Sequence, residues 1–424
     1  MTAPDLRQPA GRRECFDVAV VGGGAAGVAA AVAAARLGAR TALVERYGFL
    51  GGAATNSLIL TYDGFFYRRP SPEWAVGGIG RELLDRLGKF ANKVEPALSV
   101  NRNWVVLFNP ESAKAALDDL VLEAGVTARM HALLVDVRRD GDRIEAVGVA
   151  DHAGRFEIAA GAFVDASGEA DLAALAKVPM AASDPAGQAA SFCARIGGVP
   201  RDVGIDPAVL GEASAAVPPA ERLATLRANG GFLFRLEENG DLWWMGMDVR
   251  ADGLSSASLT EAEQRCRATA WAVIRQLRRF PGYEGATLVG SGAQLGIRAT
   301  RHPRARHMID DAAALAGGRV DNSVGRSVWP MERHDTPGRP TLAYIGGEGF
   351  FDIPADALRA AEVDNLWLAG RTVGASPGAF GSLRVMGTGF ATGQAAGAAA
   401  ALATQGRPGY AALRAALLDQ GAII

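Results

Sequence analysis

The residues best placed for chemistry lie near the start of the chain. Between Phe16 and Glu45 the glycines Gly22, Gly24 and Gly27 have the spacing G-x-G-x-x-G, with Ala25 and Ala26 filling the last gap. The first glycine of such a triplet permits a tight turn out of a strand. The second lets a pyrophosphate approach the backbone, and the third lets a helix pack closely on a sheet. A helix N-terminus following the turn offers free N–H groups and partial positive charge to phosphates. Glu45 ends the next apolar run, where a carboxylate accepts hydrogen bonds from a ribose diol. The pattern predicts dinucleotide binding; a merely structural glycine turn is the alternative.

Positioning these residues needs a strand over Asp17–Val21, a helix over Ala26–Leu37 and a strand over Thr41–Val44, which is what the apolar periodicity gives. Further on, Pro110–Ala124 reads as an amphipathic helix stopped by Gly125. Ala132–Val137, Arg143–Ala150 and Arg155–Ile158 read as three short strands, the first two joined by an Asp-Gly turn. Ala162–Asp165 reads as one more buried strand. Ser191–Ile196 and Leu242–Val249 suggest a second sheet, and Ser258–Arg279 a helix with Thr260 as cap and Glu263 completing a capping box. Of Trp243 and Trp244, one is expected in the core and its neighbour outside; a substrate platform is the alternative. Residues 62–74, aromatic and basic with two prolines, read as a loop: a lid or pocket wall, or else a packed surface loop or a subunit contact.

At 424 residues the chain is long for one core, so two domains are expected. Basic and acidic residues number 44 and 46, so no global field favours nucleic acid or an anionic membrane. Cys15, Cys193 and Cys266 lie far apart without a C-x-x-C pair, and the five histidines have no zinc-site spacing, so no metal is expected. Arg12-Arg13 before an apolar stretch mimics a twin-arginine signal, but that stretch is already explained as strand and helix. Residues 1–15 are read as a flexible tail and the protein as cytoplasmic. Expected partners are a small-molecule substrate, with no nucleic acid and no membrane; assembly into a homo-oligomer is left open.

After Glu45 the chain runs Arg46-Tyr47-Gly48-Phe49-Leu50-Gly51-Gly52-Ala53-Ala54-Thr55. The pairing of GGGAAG…E with ERYGFLGGAAT resembles the glutathione-reductase-type FAD-binding fold. More narrowly, it resembles FAD-dependent oxidoreductases of the FAD-oxidored type, distantly related to fumarate reductase flavoproteins. A second match closes the chain: Asn365-Leu366-Trp367-Leu368-Ala369-Gly370-Arg371, then Ser382-Leu383-Arg384-Val385-Met386-Gly387-Thr388-Gly389 leading into GQAAG. A nicotinamide-only Rossmann domain has no reason to carry that segment. Matches run from Phe16 to near Ala403.

The resemblance implies an α/β fold: a Rossmann-like FAD-binding domain with a three-stranded antiparallel meander, and an inserted mixed α+β substrate domain. The FAD domain is then discontinuous, residues 16–180 and 341–424, with 181–340 as the insert. It implies FAD contacts from Gly22, Gly24, Ala25, Ala26, Gly27, Glu45, Arg46, Gly52, Ala53, Ala54, Thr55 and Leu133. It adds Ala166, Ser167, Gly168 and Asp171 in the run DASGEADLA, where Ser167 replaces a family threonine, and Gly370, Arg371, Arg384, Val385, Gly387, Thr388 and Gly389 at the C-terminal end. The segments LGIRATR and WPMERH match family patterns G-x-R-x-T-R and P-x-x-x-H, although Ala299 stands where an acid is frequent. Arg298, Arg301 and His334 are thereby catalytic candidates, since guanidinium groups stabilise or grip anions and an imidazole moves protons. The alternative for the arginines is structural; Glu332 and Arg333 read as solvated neighbours. The implied activity is hydride transfer between a small organic substrate and FAD, as a dehydrogenase or oxidase. Flavin-dependent monooxygenation and a non-catalytic flavin-binding subunit are the alternatives.

Overall fold

The computed structural model describes residues 9–90, 94–99, 101–181, 187–237 and 239–424. Its main sheet has seven strands. Four run parallel in the order Thr127–Arg129, Thr41–Val44, Pro9–Val21 and Gly154–Asp165. Arg143–Asp151 and Leu133–Asp140 continue the sheet antiparallel, and Leu366–Leu368 adds a parallel strand beside the end of Gly154–Asp165. The Asp-Gly turn at Asp140-Gly141 closes the expected hairpin, with Gly141 at φ 54°.

Two expectations change here. Residues 9–15 belong to the first strand, and residues 13–16 pair in sequence with residues 157–160. Arg12 and Arg129 both reach Glu14, which anchors a segment whose polar composition had suggested a free tail. Likewise Arg155–Ile158 and Ala162–Asp165 are one strand, Gly154–Asp165. Its first half pairs with Arg143–Asp151 and its last three residues with Leu366–Leu368. Asn365 fills the gap between these partners: its side chain accepts from Ile144 N–H at 2.9 Å and donates to the Ile144 and Gly161 carbonyls at 2.8 and 3.2 Å.

The helix Ala25–Arg36 is built of alanine, glycine and valine over its first ten positions, all buried. Small residues are needed because it lies between the sheet and the closing helix Met386–Thr404. A Cβ at Gly393 would lie 2.0 Å from the Ala26 carbonyl, and one at Gly397 2.0 Å from that of Ala30. Backbone therefore packs on backbone, and the two ends of the chain form one core.

A second, antiparallel sheet orders Thr225–Leu226, Leu242–Val249, Ala190–Gly197 and Thr287–Ser291, with Phe232–Arg235 also on Leu242–Val249. The helix Ser256–Leu277 covers one face with Ala262, Cys266, Ala270, Val273, Ile274 and Leu277. Its cap is Ser255, which accepts from Ser258 N–H, whereas Glu263 accepts from Leu295 N–H at 2.6 Å. Thr260 and Glu263 thus sit inside the helix and form no capping box. Both tryptophans are buried, on opposite sides: Trp244 packs toward the helix, Trp243 into the main core. A register slip between Phe192 and Ala194 keeps Met245 with Trp243 and turns Met247 toward the helix. The expected boundary at 340/341 falls inside the strand Arg339–Ala343, which pairs with Met331–Thr336.

Candidate functional site

A single continuous cavity runs from the glycine turn to the Trp243 face of the second sheet. At one end stand Gly22, Gly24, Ala25 and Ala26. A Cβ at Gly22 would lie 2.3 Å from the Ala166 carbonyl, and one at Gly52 2.8 Å from Gly24 Cα, so neither position has room for a side chain. Gly27 is not on the wall. Its missing Cβ would fall 1.7 Å from the Gly22 carbonyl, so its task is to let turn and helix meet.

Glu45 lines the cavity almost wholly buried. It accepts from the backbone N–H of Gly23 at 2.6 Å and of Tyr47 at 2.8 Å, which fixes both oxygens while leaving each further lone pairs. Burial pushes its carboxyl above the ordinary range, against these hydrogen bonds. Arg46, Gly52, Ala53 and Leu133 share this wall. Ala54 and Thr55 do not; Ala54 is core, and Thr55 donates to the Leu50 carbonyl at 2.7 Å.

The DASG turn is organised by Asp165, which is fully buried. It accepts from Ser167 N–H and Oγ at 3.0 and 2.6 Å and from Ala173 N–H at 2.8 Å. Burial raises its carboxyl to about 6. Ala166, Ser167, Gly168 and Asp171 face the cavity beside it. Gly168 leaves space for Arg371, which pairs with Glu169 at 2.8 Å; Arg46 approaches the same carboxylate at 3.4 Å. Arg301 joins this end of the site. It donates to the Glu169 carbonyl at 2.8 Å, pairs with Asp171, and does not line the cavity.

The other end holds a buried charge cluster. Arg298 lines it, donating to the Ala189 carbonyl and Ser191 Oγ and reaching Asp248 at 3.4 Å. Burial lowers its guanidinium to about 10. Asp248 also pairs with Arg227 at 3.2 Å; burial opposes its charge, but the two arginines hold its carboxyl below the usual range. Glu332, expected to be solvated, lines the cavity instead. It bonds His334 Nε2 and Trp329 Nε1, both at 3.0 Å, and Arg384 lies 3.7 Å away. These partners outweigh burial and hold its carboxyl far below normal. His334 stands behind Glu332, off the cavity wall. Burial, then Arg298, lowers its imidazole to about 4, so at neutral pH it is uncharged and donates its Nε2 proton.

The closing helix opens on this end through Val385, Met386 and Gly389, with Arg384 before them. Gly387 and Thr388 face away: a Cβ at Gly387 would meet the Asp63 carbonyl at 2.6 Å, and Thr388 is fully buried. Gly370 and Arg371 lie between the two helices, where a Cβ at Gly370 would come 2.9 Å from that of Ala26. Phe232, Phe234, Trp243, Met245 and Ile297 make an apolar wall opposite, with Phe234 stacked on Trp243 at 5.2 Å. Residues 62–74 form no lid: Tyr62, Phe65 and Phe66 are core, residues 68–73 make an exposed loop, and only Asp63 reaches the cavity.

These features fit a dinucleotide. Neither helix N-terminus carries a side-chain cap, so the first-turn N–H groups of both helices lack partners where they meet the cavity. A family model described as FAD dependent oxidoreductase matches residues 17–420. The chain belongs to this family. It is an enzyme, and its cofactor is FAD. Among solved structures it is similar to the flavin-dependent brominase Bmp2, with TM-score 0.50, 14% identity, and coverage of 96% of this chain and 83% of that one. It also matches a geranylgeranyl bacteriochlorophyll reductase-like protein from Thermoplasma acidophilum at TM-score 0.46 and 13% identity, covering 95% and 82%. BexE, from a study of oxidation during BE-7585A biosynthesis, matches at TM-score 0.49 and 16% identity, covering 96% of this chain but only 66% of that one. At these identities the likeness concerns the fold alone. Among the described residues no helix is long and apolar enough to cross a membrane.

Proposed function

We propose that this FAD-dependent oxidoreductase transfers hydride between a small organic molecule and FAD, on a glutathione-reductase-type domain. The observation that carries the proposal is the course of the cavity, from the glycine turn and Glu45 to the apolar wall around Trp243. Its first part suits an extended dinucleotide; its far end suits a flat, largely apolar substrate.

The residues divide the work accordingly. The amides after Gly22 and Gly24 receive the pyrophosphate, with Arg371 close by. Glu45 accepts from the ribose. Bound FAD supplies the two-electron chemistry. The N-terminus of Met386–Thr404 favours negative charge facing it, and Arg384 adds a buried cation. Phe234, Trp243 and Met245 exclude water and orient the substrate by contact. Ser191, Gln294 and Tyr47 offer polar atoms on the same wall. Arg298 positions Ser191, His334 holds Glu332 ionised, and Arg301 fixes the Asp171 turn, so these three act through neighbours.

The test is anaerobic reduction of the FAD-loaded protein by a panel of small aromatic alcohols and amines. Bleaching by at least one, with the matching carbonyl or imine formed in equal amount, is expected. Trp243→Ala should weaken that substrate's binding tenfold or more while FAD stays bound. A protein that no donor bleaches, and that instead inserts labelled oxygen into a product, would refute hydride abstraction in favour of monooxygenation.

A further inference from the structure

The far end of the cavity contains one carboxyl group that the interactions above leave unused. Asp63 ends the strand Thr61–Asp63. Tyr62 points into the core and stacks on Phe108 at 4.1 Å, so alternation turns Thr61 and Asp63 to the cavity. Gly64 follows at φ 80°, and a Cβ there would lie 2.6 Å from Val385 Cγ2. The Asp63 carbonyl is equally close to the space a Gly387 side chain would take. The backbone at Asp63 and Gly64 is thus packed against the start of the closing helix, whose Val385, Met386 and Gly389 line the same cavity as Asp63.

Its polar atoms are poorly served. Oδ1 is buried without a partner, and Oδ2 receives one long hydrogen bond, from Thr61 Oγ1 at 3.4 Å. The charges facing it are Glu332, which repels, and Arg384, already engaged with Glu332. The closing helix presents no charge there; the uncharged Thr388 hydroxyl lies against Gly64. An unsatisfied buried carboxyl oxygen costs roughly 1–3 kcal/mol, so one that persists calls for a role. The neighbouring acid–base groups are unsuited to proton exchange: Glu332 is held ionised by three partners, and His334 is off the wall.

We propose that Asp63 is the catalytic acid–base of the reaction, exchanging a proton with the substrate hydroxyl or amine. The assignment rests on the hydride chemistry proposed above. For an alcohol, the C–H bond delivers hydride to bound FAD while the O–H proton passes to the Asp63 carboxylate. A C=O bond forms, the substrate loses two electrons, FAD gains two, and Asp63 later releases the proton to solvent. Burial, then the Glu332 charge, raises the Asp63 carboxyl to about 8, so it changes state near neutrality, as an acid–base catalyst needs.

Two readouts test this without an identified substrate. Infrared difference spectra of the protein, with and without FAD, are taken across pH 6–10 for wild type and Asp63→Asn. Wild type should show a protonated carboxylic acid C=O band that disappears around pH 8; the variant should lack it. The second probe is inorganic sulfite, an anion that adds to oxidised flavins. Its affinity for wild type should fall by up to about tenfold per pH unit above pH 8, relative to Asp63→Asn, as a charged carboxylate appears beside the site. Sulfite's own titration cancels in that comparison. Coinciding sulfite profiles, including the case in which neither protein takes sulfite, overturn the assignment, as does an unchanged C=O band in the variant. A protein that retains no FAD defeats the parent proposal, and the infrared result then judges Asp63 alone.

Discussion

Gly393→Ala is the substitution that most directly probes how the two ends of the chain are joined. Alanine is ordinarily the better helix former, by about 1 kcal/mol. Here the added methyl would lie 2.0 Å from the Ala26 carbonyl oxygen and 2.7 Å from Ala26 Cα. It falls more than an ångström short of van der Waals contact, and its obstacle is backbone that no rotamer can move. Overpacking of this kind costs about 1–3 kcal/mol, occasionally more. With the helix preference subtracted, a net loss of up to about 2 kcal/mol is expected, roughly 2 °C in Tm for a chain of this length. Gly389→Ala is the internal control. One turn earlier on the same helix, its methyl would meet Ala25 Cβ at 3.7 Å and Ala26 N at 3.9 Å, both ordinary contacts. It should keep or slightly raise thermal stability while impairing FAD retention, because Gly389 lines the cavity. Thermal unfolding followed by circular dichroism, on FAD-free protein, separates the two. If Gly393→Ala is as stable as wild type, the close backbone packing of the two helices is wrong.

Three further outcomes are expected. Glu45→Ala should weaken FAD retention about tenfold or more in equilibrium dialysis, since removing it strands the Gly23 and Tyr47 amides as well as a ribose partner. Asp63 has its folded pKa raised, so its stabilising contribution is greatest in acid and is lost as pH rises toward about 8. Asp63→Asn should therefore exceed wild type in urea stability at pH 8, with the gap narrowing toward pH 4. His334 has its folded pKa depressed to about 4, so the unfolded chain binds the extra proton between pH 6.5 and 4 and wild type loses stability there on acidification. A His334→Gln variant should lack that component of the acid loss, roughly 3–4 kcal/mol at most.

The cofactor half of the site was largely legible because its signals are local. A glycine triplet, a short apolar strand and an acid at the next strand's end lie within one stretch, and each has a geometric reason. The far end was not legible, because its charges are set by contacts distant in sequence. Glu332 reads as an ordinary solvated acid between Met331 and Arg333, and only folding brings Arg384, fifty-two residues on, beside it. Asp63 is a single acid in an aromatic run, and nothing local distinguishes it from a turn residue. Arg301 and Arg298 stand three apart in sequence yet serve opposite ends of the cavity, the first with Asp171 and the second with Asp248. Residues 9–15 carry no apolar pattern; their order comes from pairing with a strand more than a hundred residues away.

The central claim is that FAD lies along this cavity, against the two uncapped helix N-termini. The visible absorption spectrum of the purified protein, recorded before and after denaturation and filtration, tests it most directly. One FAD per chain is expected, freed into the filtrate by denaturation, with Gly24→Val colourless yet folded. A wild-type protein that is colourless and takes up no added FAD, or a Gly24→Val variant that keeps its full yellow colour, would contradict it.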